Sequence, residues 1–175
     1  MWIIGIIWWL ILAPLNILSV LLAYFLAPII VLFCKDGWLP HWLWWFQTPD
    51  NSMDGDKGWQ NEHWQWRYAL SEPLATYVGR VGWCWRNPAY GFALSVLSAV
   101  PEEPFHWSGN RKISNTDPVI DGWLFVTSGI YWNLYIIAPF FGRTFRLYLG
   151  WKLRNGEGRG PYQYVLYVNP FKARG

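Results

Sequence analysis

The opening thirty-four residues, MWIIGIIWWLILAPLNILSVLLAYFLAPIIVLFC, contain no Asp, Glu, Lys, Arg or His. From Leu15 to Cys34, twenty residues, the only polar side chains are Asn16, Ser19 and Tyr24. At about 1.5 Å per residue that length matches a hydrocarbon core of roughly 30 Å. Each Leu, Ile, Phe or Val favours insertion by roughly 0.3 to 0.6 kcal/mol, so the pattern predicts lipid rather than a soluble core around this segment. Pro14 removes a backbone donor and disfavours helical geometry at Ala13, which predicts two pieces, Trp2 to Ala13 and Leu15 to Cys34. The expected arrangement is a short interfacial or re-entrant piece followed by one transmembrane helix, with a tight helical hairpin as the alternative. Trp8 and Trp9 would anchor the first piece among headgroups. No basic leader and no small-x-small cleavage site accompany the run, so it does not read as a cleaved signal peptide.

Beyond the anchor the pattern changes three times. KDGWLPHWLWWFQTPDNSMDGDKGWQNEHWQWRYAL is too aromatic for a solvated loop, and Trp38, Trp42, Trp44 and Trp45 predict an interfacial belt. Ser71 to Trp85 predicts a helix: Ser71 in the cap position, Glu72 at the positive dipole end and Pro73 in the first turn. Leu74, Tyr77, Val78, Val81 and Trp85 recur at helical spacing, leaving Arg80 off the stripe. On a membrane the stripe and Trp85 would sink among headgroups while Arg80 and Arg86 met phosphates; on a sheet the same stripe would be core. Asn87, preceding Pro88, ends the helix. PEEPFHWSGNRKISNTDP has no hydrophobic period and reads as a polar connector.

After the connector the period becomes two. VIDGWLFVTS, IYWNLYIIAPF, TFRLYLGWKLR and YQYVLYVNPF are rich in Val, Ile, Tyr, Phe and Trp and separated by glycine-containing turns, predicting a four-stranded antiparallel meander. In the third strand Phe145, Leu147, Leu149, Trp151 and Leu153 alternate with Arg146, Tyr148 and Lys152, so the first set is expected to be buried. The second strand is apolar on both faces, as a covered central strand would be. The resulting expectation is an α+β membrane protein in three parts: an anchor at 1–34, a Trp-rich interfacial segment at 35–70, and a helix-plus-sheet domain at 71–175.

Composition sharpens this picture. The chain has 175 residues, with 16 Trp, 10 Tyr and 10 Phe, 21% aromatic in all. Trp pairs an apolar body with one N–H, which suits the wet edge of a bilayer. The formal charge is +3, but residues 117–175 carry seven basic and three acidic side chains, a surplus that could meet anionic headgroups or simply solubilise. Lys35, against an uncharged leader, points to a cytoplasmic C-terminal part. Cys34 and Cys84 have no CxxC partner and are expected as free, mostly buried thiols without a catalytic role. Aromatics without a sustained basic run are better explained by a membrane, so no nucleic-acid partner is expected.

Candidate chemistry is confined to TPDNSMDGDKG. Asp50, Asp54 and Asp56 offer oxygen ligands, and Asp50, Ser52, Asp54 and Gly55 match four positions of a calcium-binding EF-hand loop. The twelfth position is Asn61, however, and Glu62 falls one residue late, so an EF-hand is excluded. Either these side chains bond their own backbone in a turn, or Asp50, Asp54, Asp56 and His63 hold a divalent cation with Glu62 as base, in a membrane-surface hydrolase or transferase. No GxSxG, P-loop, HExxH or paired CxxC motif occurs, and His41, His63 and His106 are single and far apart.

The stretches WFQTPDNSMDGDKGW (Trp45 to Trp59), WRNPAYGF (Trp85 to Phe92), GWKL (Gly150 to Leu153) and NPFK (Asn169 to Lys172) resemble an uncharacterised family of small membrane-anchored proteins of tailed bacteriophages and prophages. The resemblance implies a phage product in the host inner membrane and transfers no activity, cofactor or catalytic residue. The expected role is non-enzymatic, through lipid, a host membrane protein or another phage protein, in lysis, superinfection exclusion or assembly. The alternatives are the metal-dependent enzyme and a virion component delivered with the genome.

Overall fold

The computed structural model describes residues 2–56, 58, 61, 65–155 and 160–172. The chain forms two compact units, one of Met1–Pro14 with Leu97–Gly175 and one of Leu15–Val96. The helix expected to share a domain with the sheet therefore packs with the second part of the apolar leader instead.

That leader is one unbroken helix, α1, Trp2–Ile30, followed by a single 3-10 turn at Val31–Phe33. The expected break at Pro14 does not occur. A proline inside a helix removes only the bond to the carbonyl four residues back, and the apolar residues on both sides have no better partner for their own backbone groups than each other. Pro14 survives as a boundary of another kind, because it is where the two compact units divide.

In the first unit the sheet has the order β1 (His106–Gly109), β2 (Gly122–Ser128), β3 (Tyr131–Phe140), β4 (Arg143–Trp151) and β5 (Tyr164–Lys172), every neighbouring pair antiparallel. The predicted meander is present with a fifth strand, β1, drawn from the supposed connector. Four residues of mixed polarity at a sheet edge need no hydrophobic period, because their backbone pairs with Leu124 to Thr127 regardless of side chain. As predicted, β3 is central.

One face of this sheet carries Leu124, Val126, Tyr135, Ile137 and Tyr148, all buried, with Ile113 and Leu153 in the same core. The opposite face carries Trp132, Leu134, Ile136, Ala138 and Phe140 on β3, Phe145, Leu147, Leu149 and Trp151 on β4, and Tyr164, Leu166 and Val168 on β5. The expectation for β4 is thus corrected in the middle of the strand: Tyr148 is 4% exposed while Phe145, Leu147 and Leu149 are only partly covered. Two-residue alternation separates the faces but does not say which one is covered, and Tyr148 gains a ring partner in Tyr135, 4.7 Å between centroids.

In the second unit, Glu72–Arg86 forms helix α2 and Tyr90–Ser95 a short helix α3. Ser71 occupies the cap position of α2, but its side chain makes no capping hydrogen bond, so the start rests on the backbone bond from Ala75 N to Ser71 O and on Pro73. The core here joins Ala27, Ile30 and Val31 to Leu39, Leu43, Met53, Val81, Trp83 and Cys84. The predicted stripe of α2 is only partly covered, since Leu74 is 46% and Trp85 39% exposed. Of the stripe only Val81 is buried, and it is joined by Gly79, Gly82, Trp83 and Cys84, which lie off it. Small residues permit that close approach, which a hydrophobic stripe does not reveal.

Candidate functional site

The largest unexplained feature of both units is the uncovered side of α1. In the first unit Gly5 and Trp9, one turn apart, are buried, whereas Ile4 is 63% and Ile11 58% exposed. In the second, Asn16, Ala23, Ala27 and Ile30 are buried at helical spacing, whereas Leu18 is 54% and Phe25 78% exposed. Sixteen large hydrophobic side chains of α1 are exposed, and the stretch Trp2–Phe33 is long and apolar enough to cross a membrane. Within each unit, the covered side of its part of α1 meets its own chain.

Trp9 departs from its expected role as a headgroup anchor. It is 7% exposed, its Nε1 donates to Val165 O at 3.2 Å, and its ring stacks on Tyr164 at 5.7 Å and meets Trp132 edge-on at 5.4 Å. Tyr164 returns a hydrogen bond from its hydroxyl to Trp9 O, 3.0 Å. Trp8, beside it, is exposed. Trp2 meets Phe125 edge-on at 5.6 Å, and Gly5 lies so close to the sheet that a Cβ there would sit 1.7 Å from Ile130 O.

The second unit places tryptophans beside the end of α1. Trp38, Trp42 and Trp45 are exposed and Trp44 is partly covered. Trp42 packs edge-on to Phe33 at 5.3 Å, Trp45 on Phe92 at 5.4 Å, and Lys35 and Trp38 exchange backbone hydrogen bonds of 2.9 Å. Trp85 has a further task. Pro28 has no N–H, so the carbonyl four residues earlier, Tyr24 O, lacks its helical donor, and Trp85 Nε1 supplies one at 3.0 Å. Tyr77 donates its hydroxyl to Pro28 O at 3.0 Å. These two bonds bracket an apolar recess of about 340 Å³ lined by Pro28, Trp66, Tyr77, Val78, Val81 and Trp85.

The acidic loop is organised by hydrogen bonds. Asp54 Oδ1 accepts from Arg80 Nε at 2.7 Å, so the residue predicted to hold a cation and the residue predicted to meet a phosphate are engaged with each other. That bond also pushes the Arg80 guanidinium further up from its ordinary value, keeping it charged. Asp56 Oδ1 accepts from the backbone N of Gly58 at 2.8 Å, as the turn reading anticipated. At the corner, Gly55 has φ +71°, and a Cβ would sit 2.6 Å from the Trp83 ring, so glycine is required there. Asp50 lines an open cleft with Asp56, Arg86 and Tyr90, and its charge, after burial, raises the Tyr90 phenol. Arg86 lies over Trp83, 5.1 Å from the ring. Glu62 and His63 lie outside the described residues. Among the described residues no three His, Cys, Asp or Glu side chains converge to hold a metal.

Cys34 and Cys84 are free thiols, as expected, and burial pushes the Cys84 thiol up to about 12. Reasoning from sequence missed the Trp85 bond to Tyr24, although a proline four residues after a carbonyl in an apolar helix signals an acceptor in need of a donor. Comparison with curated proteins and with solved structures found no match. A family model matches residues 1–175 throughout, and the chain belongs to that family, the Family of unknown function (DUF7338).

Proposed function

We propose that this protein is a non-enzymatic component held at a bacterial inner membrane by the exposed side of α1, with its C-terminal part on the cytoplasmic side. The observation that carries the reading is a 29-residue helix without a charge whose large apolar side chains face outward. Fully burying a Leu, Ile or Phe is worth roughly 1.5 to 3 kcal/mol, so covering sixteen half-exposed ones with lipid gains on the order of 10 kcal/mol. A patch of that size is unusual on a soluble monomer. In each unit one side of the helix is occupied by its own chain, which supports an in-plane, monotopic helix over an upright spanning one. The exposed Trp38, Trp42 and Trp85 support the same boundary position. That the gene belongs to a tailed phage or prophage, and that the work concerns lysis, superinfection exclusion or assembly through lipid or a membrane partner, rests on the motif resemblance.

Topology tests the reading. In a Cys34→Ser background, Trp2→Cys and Lys35→Cys variants are labelled with a membrane-impermeant maleimide in right-side-out and inverted vesicles. An in-plane helix places both labels on the inverted-vesicle side only; a spanning helix splits them. Purified protein that remains monomeric in buffer without detergent and does not float with vesicles overturns the membrane reading altogether.

A further inference from the structure

The hairpin joining β3 to β4 breaks the local rule for its own turn. Phe140 pairs with Arg143, so Phe141 and Gly142 form a two-residue loop, with φ of +45° and +71°. Two successive left-handed residues favour Asn-Gly, because a bulky side chain is strained there and Asn is not. Phe141 accepts that strain and then packs on almost nothing: it is 91% exposed, touching Phe140 with 4.7 Å between ring centroids. Phe140 in turn meets Phe145 at 6.4 Å and Phe171 at 6.2 Å, and Phe171 is 68% exposed. Neither folding of the hairpin nor core packing explains an aromatic at this tip.

The surface around it says what covers it. Phe140 and Phe145 belong to the sheet face that, at its other end, receives Trp2 and Trp9 of α1 on Phe125, Trp132 and Tyr164. Between those ends β3, β4 and β5 present only apolar side chains on that face, and its margins stay open, Trp123 at 51% and Val168 at 57% exposed. At the tip itself the exposed Arg143 pairs in register with Phe140, and no described acidic side chain forms an ion pair with it. An apolar knob with a cation at its base matches the layering of an anionic bilayer, with acyl chains beneath and phosphates at the surface.

We propose that the Phe140–Phe141 hairpin tip is a second lipid-contact point that wedges into an anionic leaflet while Arg143 meets lipid phosphates. The proposal rests on the membrane reading of α1 but concerns a separate element, about ten residues along β3 from the strand's α1-contacting end.

The test uses the full chain in a Cys34→Ser background, labelled with the environment-sensitive fluorophore NBD at Phe141→Cys, at Phe25→Cys on α1 and at Ser108→Cys on the sheet edge. Vesicles contain zwitterionic lipid with or without about one-third phosphatidylglycerol, and quenching is compared between nitroxide-bearing lipid and aqueous iodide. Expected is blue-shifted emission at 141 with quenching by the lipid nitroxide, at least twofold less iodide quenching than at 108, and a weaker effect without the anionic lipid. The Arg143→Gln variant loses that dependence on anionic lipid. Phe141→Asn, which suits the turn, unfolds at the same or a higher temperature, so a fold defect does not mimic the result. Lipid quenching at 25 with a wet label at 141 overturns the second contact alone, whereas a label at 141 shielded from both quenchers means a protein or a second copy covers the tip and overturns the lipid assignment. Iodide quenching at both 25 and 141 overturns the second contact together with the membrane reading.

Discussion

Trp85→Phe isolates one hydrogen bond in an otherwise apolar contact. Phe keeps most of the ring, so the change removes the Nε1 donor and leaves Tyr24 O, already deprived of its helical partner by Pro28, without one. A typical hydrogen bond contributes about 0.5 to 1.5 kcal/mol net, and stranding a buried acceptor costs about 1 to 3 kcal/mol. Trp85 is 39% exposed, so in detergent solution water competes and the loss falls near 1 kcal/mol. For a chain of 175 residues that corresponds to a fall of about 2 to 4 °C in Tm. The informative comparison is with Pro28→Ala. Restoring an N–H at residue 28 gives Tyr24 O its ordinary helical donor, so in that background Trp85→Phe should lose only ring area, and the coupling between the two changes should be about 1 kcal/mol. Scanning fluorimetry of the four proteins in one mild detergent measures the cycle. Equal losses in both backgrounds, within about 0.3 kcal/mol, would refute the assignment of Trp85 as the substitute donor.

Four further outcomes follow from other contacts. Gly5→Leu cannot be accommodated where a Cβ already meets Ile130 O at 1.7 Å, so it should lower stability by at least about 2 kcal/mol and expose the sheet to limited proteolysis, while an Ile4→Leu control has no effect. Burial holds the Cys84 thiol neutral, with its acid dissociation raised from 9.0 to about 12, so alkylation at pH 8 followed by mass spectrometry should find it modified on the order of a thousandfold more slowly than a free thiol. A raised acid group stabilises fully below its unfolded value and progressively less above it. Between about pH 9 and 12 this thiol should therefore contribute a fall of about 1.4 kcal/mol per pH unit, measured by denaturation as the difference in slope between the parent and Cys84→Ala. The difference is needed because the Tyr164 and Tyr90 phenols, also raised by burial, add a fall of their own above about pH 10 in both proteins. Arg80→Gln breaks a pair whose Asp54 partner is half exposed, so it should cost less than about 1 kcal/mol, and raising the salt to about 0.5 M should shrink the difference.

Local rules carried the secondary structure far. An apolar run too long for a strand and without turn residues forms a helix, which satisfies its own backbone. Asn87 before Pro88 stops α2 at Arg86, and turn residues separate Val-, Ile- and Tyr-rich runs into β2 to β5 in their observed order. Each of these follows from neighbours a few residues apart. The site was only partly legible, because its residues act through partners distant in the chain. Asp54 and Arg80 are 26 positions apart, so neither the metal reading of one nor the phosphate reading of the other could see the ion pair. Trp9 and Val165 lie 156 apart, and a tryptophan in an apolar run looks the same whether its N–H ends at a headgroup or at a strand.

By itself, then, the sequence determined that a long apolar helix, an amphipathic helix and an antiparallel meander exist, since hydrophobic period, caps and breakers act over one or two turns of chain. Only the tertiary structure decided that α1 runs through Pro14, that a tetrapeptide of mixed polarity becomes β1, that Tyr148 rather than Leu147 turns inward, and that one side of α1 stays bare. Those outcomes depend on which surfaces compete for the same cover. That competition is settled by packing among residues far apart in the chain, where a Leu, a Tyr and a Trp are all apolar enough to be chosen.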